Sequence, residues 1–318
     1  MPKPHNLPMP IHVSQTVTEA FGLIMRHNFE VMLKWAPIAY DGRDIEGVHQ
    51  VRVSLRRMRS ALVIFRKAIP REILDTWSQE MRWVAGELGP ARDLDVFIDE
   101  GLGAMTGKIP QAQGEEIAQI LVDGEKRLGN LSRKHRDKAY TQVRDMFDSD
   151  RYEAFRKGFD AWLKSNAWFD ADLPGDYRLK LMKPISSYAI KVLNKRLLRV
   201  MRDGSRIDEL PIEALHELRI DCKKLRYATE FFKPLFAKKG MDRFIGRLKK
   251  LQGVLGTMND VSVMPDLVEG ILEGADSPAN HYAGVLIGWR ARQYEAIKGK
   301  LGAYWEDFAN SERPWLAE

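Results

Sequence analysis

The stretch His49-Gln-Val-Arg52-Val-Ser-Leu-Arg56-Arg57-Met-Arg59-Ser-Ala61 returns without a gap as His216-Glu-Leu-Arg219-Ile-Asp-Cys-Lys223-Lys224-Leu-Arg226-Tyr-Ala228. The shared pattern is H-x-[VL]-R-[VI]-x-x-[RK]-[RK]-[ML]-R-x-A, at an offset of 167 residues. A second block keeps that offset. Leu88-Gly89-Pro-Ala-Arg92-Asp93-Leu-Asp-Val96 falls on Leu255-Gly256-Thr-Met-Asn259-Asp260-Val-Ser-Val263, with Gly86 on Gly253 and Arg82 on Lys249. Two blocks agreeing on one offset mark an internal duplication, so both halves are expected to share one structure.

Placed on a helix, Val51, Leu55, Met58, Leu62, Phe65 and Ile69 gather within an arc of about 80°, a stripe suited to a core. His49, Arg52, Arg56 and Arg59 fill a second arc centred about 120° away. No acidic residue stands between Gln50 and Ala68. In the second half His216, Arg219, Lys223 and Arg226 take the same arc, opposite Leu218, Cys222, Leu225 and Phe232. A charged stripe is ordinarily a solvated face. Like charges at i, i+3 and i+7 repel by a few tenths of a kcal/mol per pair, however, and a merely solubilising face alternates sign. Four positions cationic twice over, each set led by histidine, point instead to a multivalent anion. Arginine offers phosphate oxygens a bidentate fork and lysine a mobile point charge.

Outward from this motif, the 318 residues are 44% apolar, enough for one large core or two domains. The long apolar-periodic stretches, with Gly/Pro/Asn/Asp clusters between them, predict an all-α chain. Helices are expected over 17–36 and 184–201 before the basic helices, and over 75–88 and 242–255 after them. These last two should close at their Leu-Gly pairs. Further helices are expected over 113–147, 151–164 and 280–308. The resulting organisation is a loose tail over 1–10, a first bundle over 11–168, a linker over 169–177 and a second bundle over 178–318. Charge balance is modest, 50 basic against 44 acidic residues for a net +6, so placement matters more than total. One cysteine excludes an internal disulfide framework, and Cys222 itself reads as a core residue. Neither a signal-peptide pattern nor a run of about 18 apolar residues is present. A cytoplasmic location is the expectation.

The paired H-x-x-R-x-x-x-[RK]-[RK]-x-R helices, each followed by L-G-x-x-[RN]-D-x-x-V, resemble the CHAD family, the conserved histidine α-helical domain, over nearly the whole chain. The resemblance implies two four-helix bundles related by a pseudo-twofold, with basic side chains lining a central cavity that binds inorganic polyphosphate. It also implies association with polyphosphate granules. Carried over by motif, the polyphosphate ligands are His49, Arg52, Arg56, Arg57 and Arg59 with His216, Arg219, Lys223, Lys224 and Arg226. Arg82 and Lys249 are added at matching positions one helix later. Asn259 stands where the first half has Arg92, so the halves need not contribute equally.

Single residues carry alternatives. His49 and His216 fit either ligands or residues that position the start of the basic helix. As ligands, with imidazole titrating near pH 6.5, they would tighten binding at pH 6 relative to pH 8. Asp93 and Asp260 suit helix capping or the fixing of an arginine better than contact with phosphate. Trp162, Trp168, Trp289, Trp305 and Trp315 suit packing. No cofactor, metal or catalytic role is expected: His216-Glu217 fails the metalloprotease spacing at Ile220, Gly101-Leu-Gly103 lacks a third glycine, and 170–181 lacks calcium-loop ligands. Nucleic-acid binding is the main competitor. The basic arcs carry no aromatics for base stacking and few Asn or Gln to read base edges. A phosphohydrolase or kinase needs carboxylates for metal or a nucleophile beside the cations, and the shared motifs supply one acid each.

Overall fold

Thr16 and Glu19 open the first helix with a capping box, each side chain bonded to the other's backbone N–H. From there the computed structural model, which describes residues 11–105, 115–170, 172–273 and 276–316, is all helical. The first half contains α1 (Val17–Asp41), α2 (Glu46–Phe65), α3 (Arg71–Glu87), α4 (Gly89–Val96), α5 (Glu115–Asp148) and α6 (Asp150–Ser165). The short α7 (Gly175–Leu181) leads to α8 (Ile185–Asp203), α9 (Ile212–Phe232), α10 (Lys238–Leu272), α11 (Ser277–Lys298) and α12 (Leu301–Ala309). The expected tail over 1–10 and the start of the expected 113–147 helix lie outside the described residues. Of residues 169–177, read as a linker, the last three begin α7, which packs on α1.

The basic helices obey the offset to within a residue: α2 ends at Phe65 and α9 at Phe232. Their apolar stripes are buried as expected. Val51, Leu55, Met58 and Phe65 are fully buried in one, and Leu218, Cys222, Leu225 and Phe232 in the other. Equivalent residues also face each other. The rings of Phe65 and Phe232 lie 6.3 Å apart, and the starts of α1 and α8 are tied by reciprocal bonds, Val17 N–H to the Lys183 carbonyl and Ile185 N–H to the Gln15 carbonyl. α5 runs along α10 and α11, joining the halves a second time. Trp168, Trp162, Trp305 and Trp315 are buried, and Trp289 is packed against the same core. Burial of Cys222 pushes its thiol well above the usual range, as suits a packing residue.

Three elements depart from expectation. α1 continues past Ala36, through Pro37, to a left-handed Gly42 at φ 76°. α10 does not stop at Leu255-Gly256 but runs on to Leu272. In the first half the same point is a break between α3 and α4, where Pro90 offers no N–H to continue the helix; Thr257 in α10 has one. The expected 280–308 helix is interrupted after Lys298, where Gly299 caps α11 and α12 turns toward the segment Ile207–Glu209.

Candidate anion-binding site

α2 and α9 pack against each other, and the charge of Arg56 on one acts on Arg219 and Lys223 on the other. Arg56 is the hub of the crossing. Its charge disfavours protonation of Arg52 on its own helix and of Arg219 and Lys223 on α9. Burial is the larger cause in all three, and it pushes Lys223, with help from Arg219 and Arg56, down to about 8. Arg59 is likewise depressed by burial and then by Arg82 on α3. Arg56, Arg59, Arg82 and Lys223 form no ion pair among the described residues. Three further donors are unspent: the Nε–H groups of Arg59, Arg219 and Arg226 are buried without an acceptor.

Arg52 is aimed by the α3–α4 junction. Its guanidinium donates to the Ala85 carbonyl at 2.5 Å, and a Cβ on Gly89 would stand only 3.3 Å from its Nη1. Asp93 favours its charge from one turn into α4. In the second half Asp260 takes the same part, 3.7 Å from Arg219. Neither aspartate caps a helix: both lie inside helices, so of the two duties expected of them only the fixing of an arginine remains. Burial raises the pKa of Asp93, Arg52 and Arg92 pull it back down, and the charge of Asp260, from the other half, adds a smaller upward push. His216 shares a hydrogen bond of 2.7 Å with Asn259, the residue that replaces Arg92. His49 is partly buried at the start of α2.

The remaining motif cations are committed elsewhere. Arg57 points off the row, buried, where its Nη1 lies 2.7 Å from Glu230 and its Nε–H donates to Asn28 at 3.0 Å. Arg226 and Lys249 reach the same Glu230 at 3.5 and 3.6 Å. Lys224 pairs with Asp221 at 2.8 Å, beside Arg199 at 2.6 Å. These carboxylates escaped the sequence reading, although the spacing held the signal: Glu230 follows Arg226 by one helical turn, and Asp221 precedes Lys224 by three residues. Cavities of about 380 Å³ beside Arg26 and Phe169 and about 210 Å³ beside Arg243 and Asn310 lie elsewhere, and the row borders neither. No described helix is long and apolar enough to cross a membrane.

Comparison with known proteins agrees with the fold. The family model of the CHAD domain matches residues 23–269. A crystal structure of the CHAD domain from the plant Ricinus communis superposes with a TM-score of 0.77, covering 97% of this chain and 98% of that one at 23% identity. PptA from Streptomyces chartreusis superposes with a TM-score of 0.60, covering 92% of this chain and 100% of that one at 17% identity. A search of curated proteins by sequence finds no match.

Proposed function

Taking as premise that the chain belongs to the CHAD domain family, we propose that it is a non-catalytic binder of inorganic polyphosphate, held where α2 and α9 cross, and that this binding takes it to polyphosphate granules. The observation that carries the reading is the uncompensated charge at the crossing. Arg56, Arg59 and Lys223 form no ion pair among the described residues, and the Nε–H groups of Arg59, Arg219 and Arg226 have no acceptor there. Cations this close destabilise the free protein, and a polyanion removes the repulsion and fills the open donors at once. Among the described residues nothing supplies acceptors to those groups.

In this reading Arg52, Arg56, Arg59, Arg82, Arg219 and Lys223 contact phosphate, with His49 and His216 at the helix entrances. Arg226 and Lys249 contribute once their hold on Glu230 loosens. Arg57 and Lys224 fix α2 and α9 in place through their own carboxylates. The test is binding of long-chain polyphosphate by the quadruple variant Arg52→Glu, Arg56→Glu, Arg219→Glu, Lys223→Glu. Binding should be lost, with thermal melts confirming that the variant is folded; a folded variant that binds as well as the parent overturns the assignment. RNA or DNA that displaces polyphosphate at equal phosphate concentration would turn the reading to nucleic acid. Affinity should also fall steeply with salt as counterions are released.

A further inference from the structure

The cationic face of α2 does not end at Arg59. Residues 52, 56, 59, 63 and 66 follow one another at helical steps of four and three, so they form one stripe spanning about 21 Å at a rise of 1.5 Å per residue. Arg56, Val63 and Arg66 along it are exposed, Val63 by 42%. The equivalent stripe of α9 runs Arg219, Lys223, Arg226, Glu230, Lys233. There the later members are neutralised: Glu230 holds Arg226, and Asp242 holds Lys233. In α2 a valine stands in place of that glutamate, and Arg66 forms no ion pair among the described residues.

At Arg66 the stripe meets α8. Tyr188 stacks on Phe65 with ring centroids 5.3 Å apart and donates its hydroxyl to the Ile64 carbonyl at 2.8 Å, which fixes α8 against the end of α2. Lys195 lies two turns further along the same face of α8. Lys67 comes close enough that its charge, ahead of desolvation, depresses Lys195, with Arg66 and Arg196 adding to the effect. Arg196 is depressed by burial and then by Arg66. The carboxylate that favours Arg196, Asp221, already bonds Arg199 and Lys224. Cations at a helix C-terminus complement its dipole, which accounts for Arg66 and Lys67. It does not account for Lys195 and Arg196, which lie inside α8.

We propose that a bound phosphate chain leaves the crossing in one direction, along the first half, passing Arg59 and Val63 to a second phosphate subsite built by Arg66, Lys67, Lys195 and Arg196. The proposal rests on the polyphosphate reading and gives it a direction. The second half is closed to the same path by the carboxylates of Glu230 and Asp242. The subsite lies beyond the reach of a short anion seated on Arg56 and Lys223, so it contributes only to long chains.

The experiment compares tripolyphosphate with long-chain polyphosphate on the full chain. In Arg66→Gln/Lys195→Gln, two exposed positions, long-chain affinity should fall roughly tenfold, and the slope of log affinity against log salt should shrink by about 1.5 to 2, as for the loss of two phosphate contacts. Tripolyphosphate affinity should stay at the parent value. Lys298→Gln/Lys300→Gln removes equal charge at exposed positions between α11 and α12 and serves as the control. An unchanged long-chain affinity, an equal loss for both ligands, or a loss matched by the control each overturns the directional path. Arg56→Gln/Lys223→Gln, measured in parallel, separates the two levels. If that variant binds both ligands like the parent, the polyphosphate reading itself is wrong; if it loses both while Arg66→Gln/Lys195→Gln loses neither, only the path is.

Discussion

The two basic helices carry one motif and two different charge environments. On α2 the exposed Arg56 forms no ion pair among the described residues, and Glu230 takes the off-row Arg57. On α9 the matching positions are largely answered from within: Arg219 by Asp260, Arg226 by Glu230, Lys224 by Asp221, and His216 by Asn259. A duplicated basic helix therefore does not make two equal charge environments. In the second copy internal anions pair with most of the cations, whereas in the first Arg56 and Arg59 form no ion pair among the described residues. The residue pair that most clearly divides them is Val63 and Glu230, equivalent in position and opposite in consequence.

Exchanging that pair gives the largest effects. Glu230→Val leaves Arg57, with 6% of its side chain exposed, without its carboxylate, bonded to Asn28 and lying over the Phe231 ring. Removing one partner of so buried a pair should lower unfolding free energy by about 3 to 5 kcal/mol, read by urea denaturation. The surviving folded protein should bind polyphosphate more tightly than the parent, because Arg226 and Lys249 are released. The reciprocal Val63→Glu sits on an exposed position and should change stability by less than about 0.5 kcal/mol. It should nonetheless weaken long-chain binding roughly tenfold, or about 1.4 kcal/mol, by placing a carboxylate between Arg59 and Arg66. Equal stability losses from the two exchanges would mean that the halves are not divided as described.

Next in size is the contrast between open and occupied cations. Arg56→Gln/Arg59→Gln removes two charges that have no internal partner, and should cost polyphosphate affinity about 100-fold, near 2.7 kcal/mol. Arg226→Gln/Lys249→Gln removes two that first have to let go of Glu230, and should cost less than about tenfold. Titration of both variants at one salt concentration checks the order, and a reversed order would make α9 the principal ligand surface.

Much of this was legible before any coordinates. The apolar stripes of the basic helices and the offset follow from spacing, because a helix converts periodicity directly into sides, whereas the meeting of the two cationic faces was implied only by the family resemblance. What did not follow was where charges end up once sides meet. Glu230 looks like one more surface glutamate in sequence, yet Arg57 reaches it from the other half, 173 positions away. The continuous α10 shows the same limit in another form. Leu-Gly suits a helix end in both halves, but only the first half adds Pro90, and without a lost N–H the glycine of the second half stays helical. α1 likewise runs past its expected end at Ala36, through Pro37, for about one further turn while packed on α2.

A smaller effect comes from Lys223, which sees Arg219 and Arg226 on its own helix, Arg56 on α2 and Asp260 on α10. Free, its ammonium is pushed down to about 8, chiefly by burial. A bound polyanion favours the charged form, so the complex holds more protons than the free protein between about pH 8 and the ordinary lysine value near 10.4. Affinity is then greatest below pH 8 and declines as pH rises through that window, by several-fold between about pH 7.5 and 9. Calorimetry at pH 8.5 in two buffers of different ionisation enthalpy should register proton uptake. Lys223→Arg, charged throughout, should abolish it; uptake that persists in that variant would place the titrating group elsewhere.

The finest test uses the two equivalent glycines. Gly256 sits inside continuous α10 with no atom within 4 Å of where a Cβ would stand, whereas Gly89 opens α4 with Arg52 Nη1 at 3.3 Å. Alanine at 256 gains helix propensity freely and should raise stability by about 0.5 to 1 kcal/mol, with polyphosphate binding untouched. Alanine at 89 should gain less and should displace the Arg52 guanidinium by a few tenths of an ångström from the Ala85 carbonyl that aims it. A twofold loss of affinity in Gly89→Ala against none in Gly256→Ala is roughly what so small a shift of one charged hydrogen bond would produce. Identical binding by both variants would mean that the α3–α4 break does not aim Arg52, and that this difference between the halves serves the fold alone.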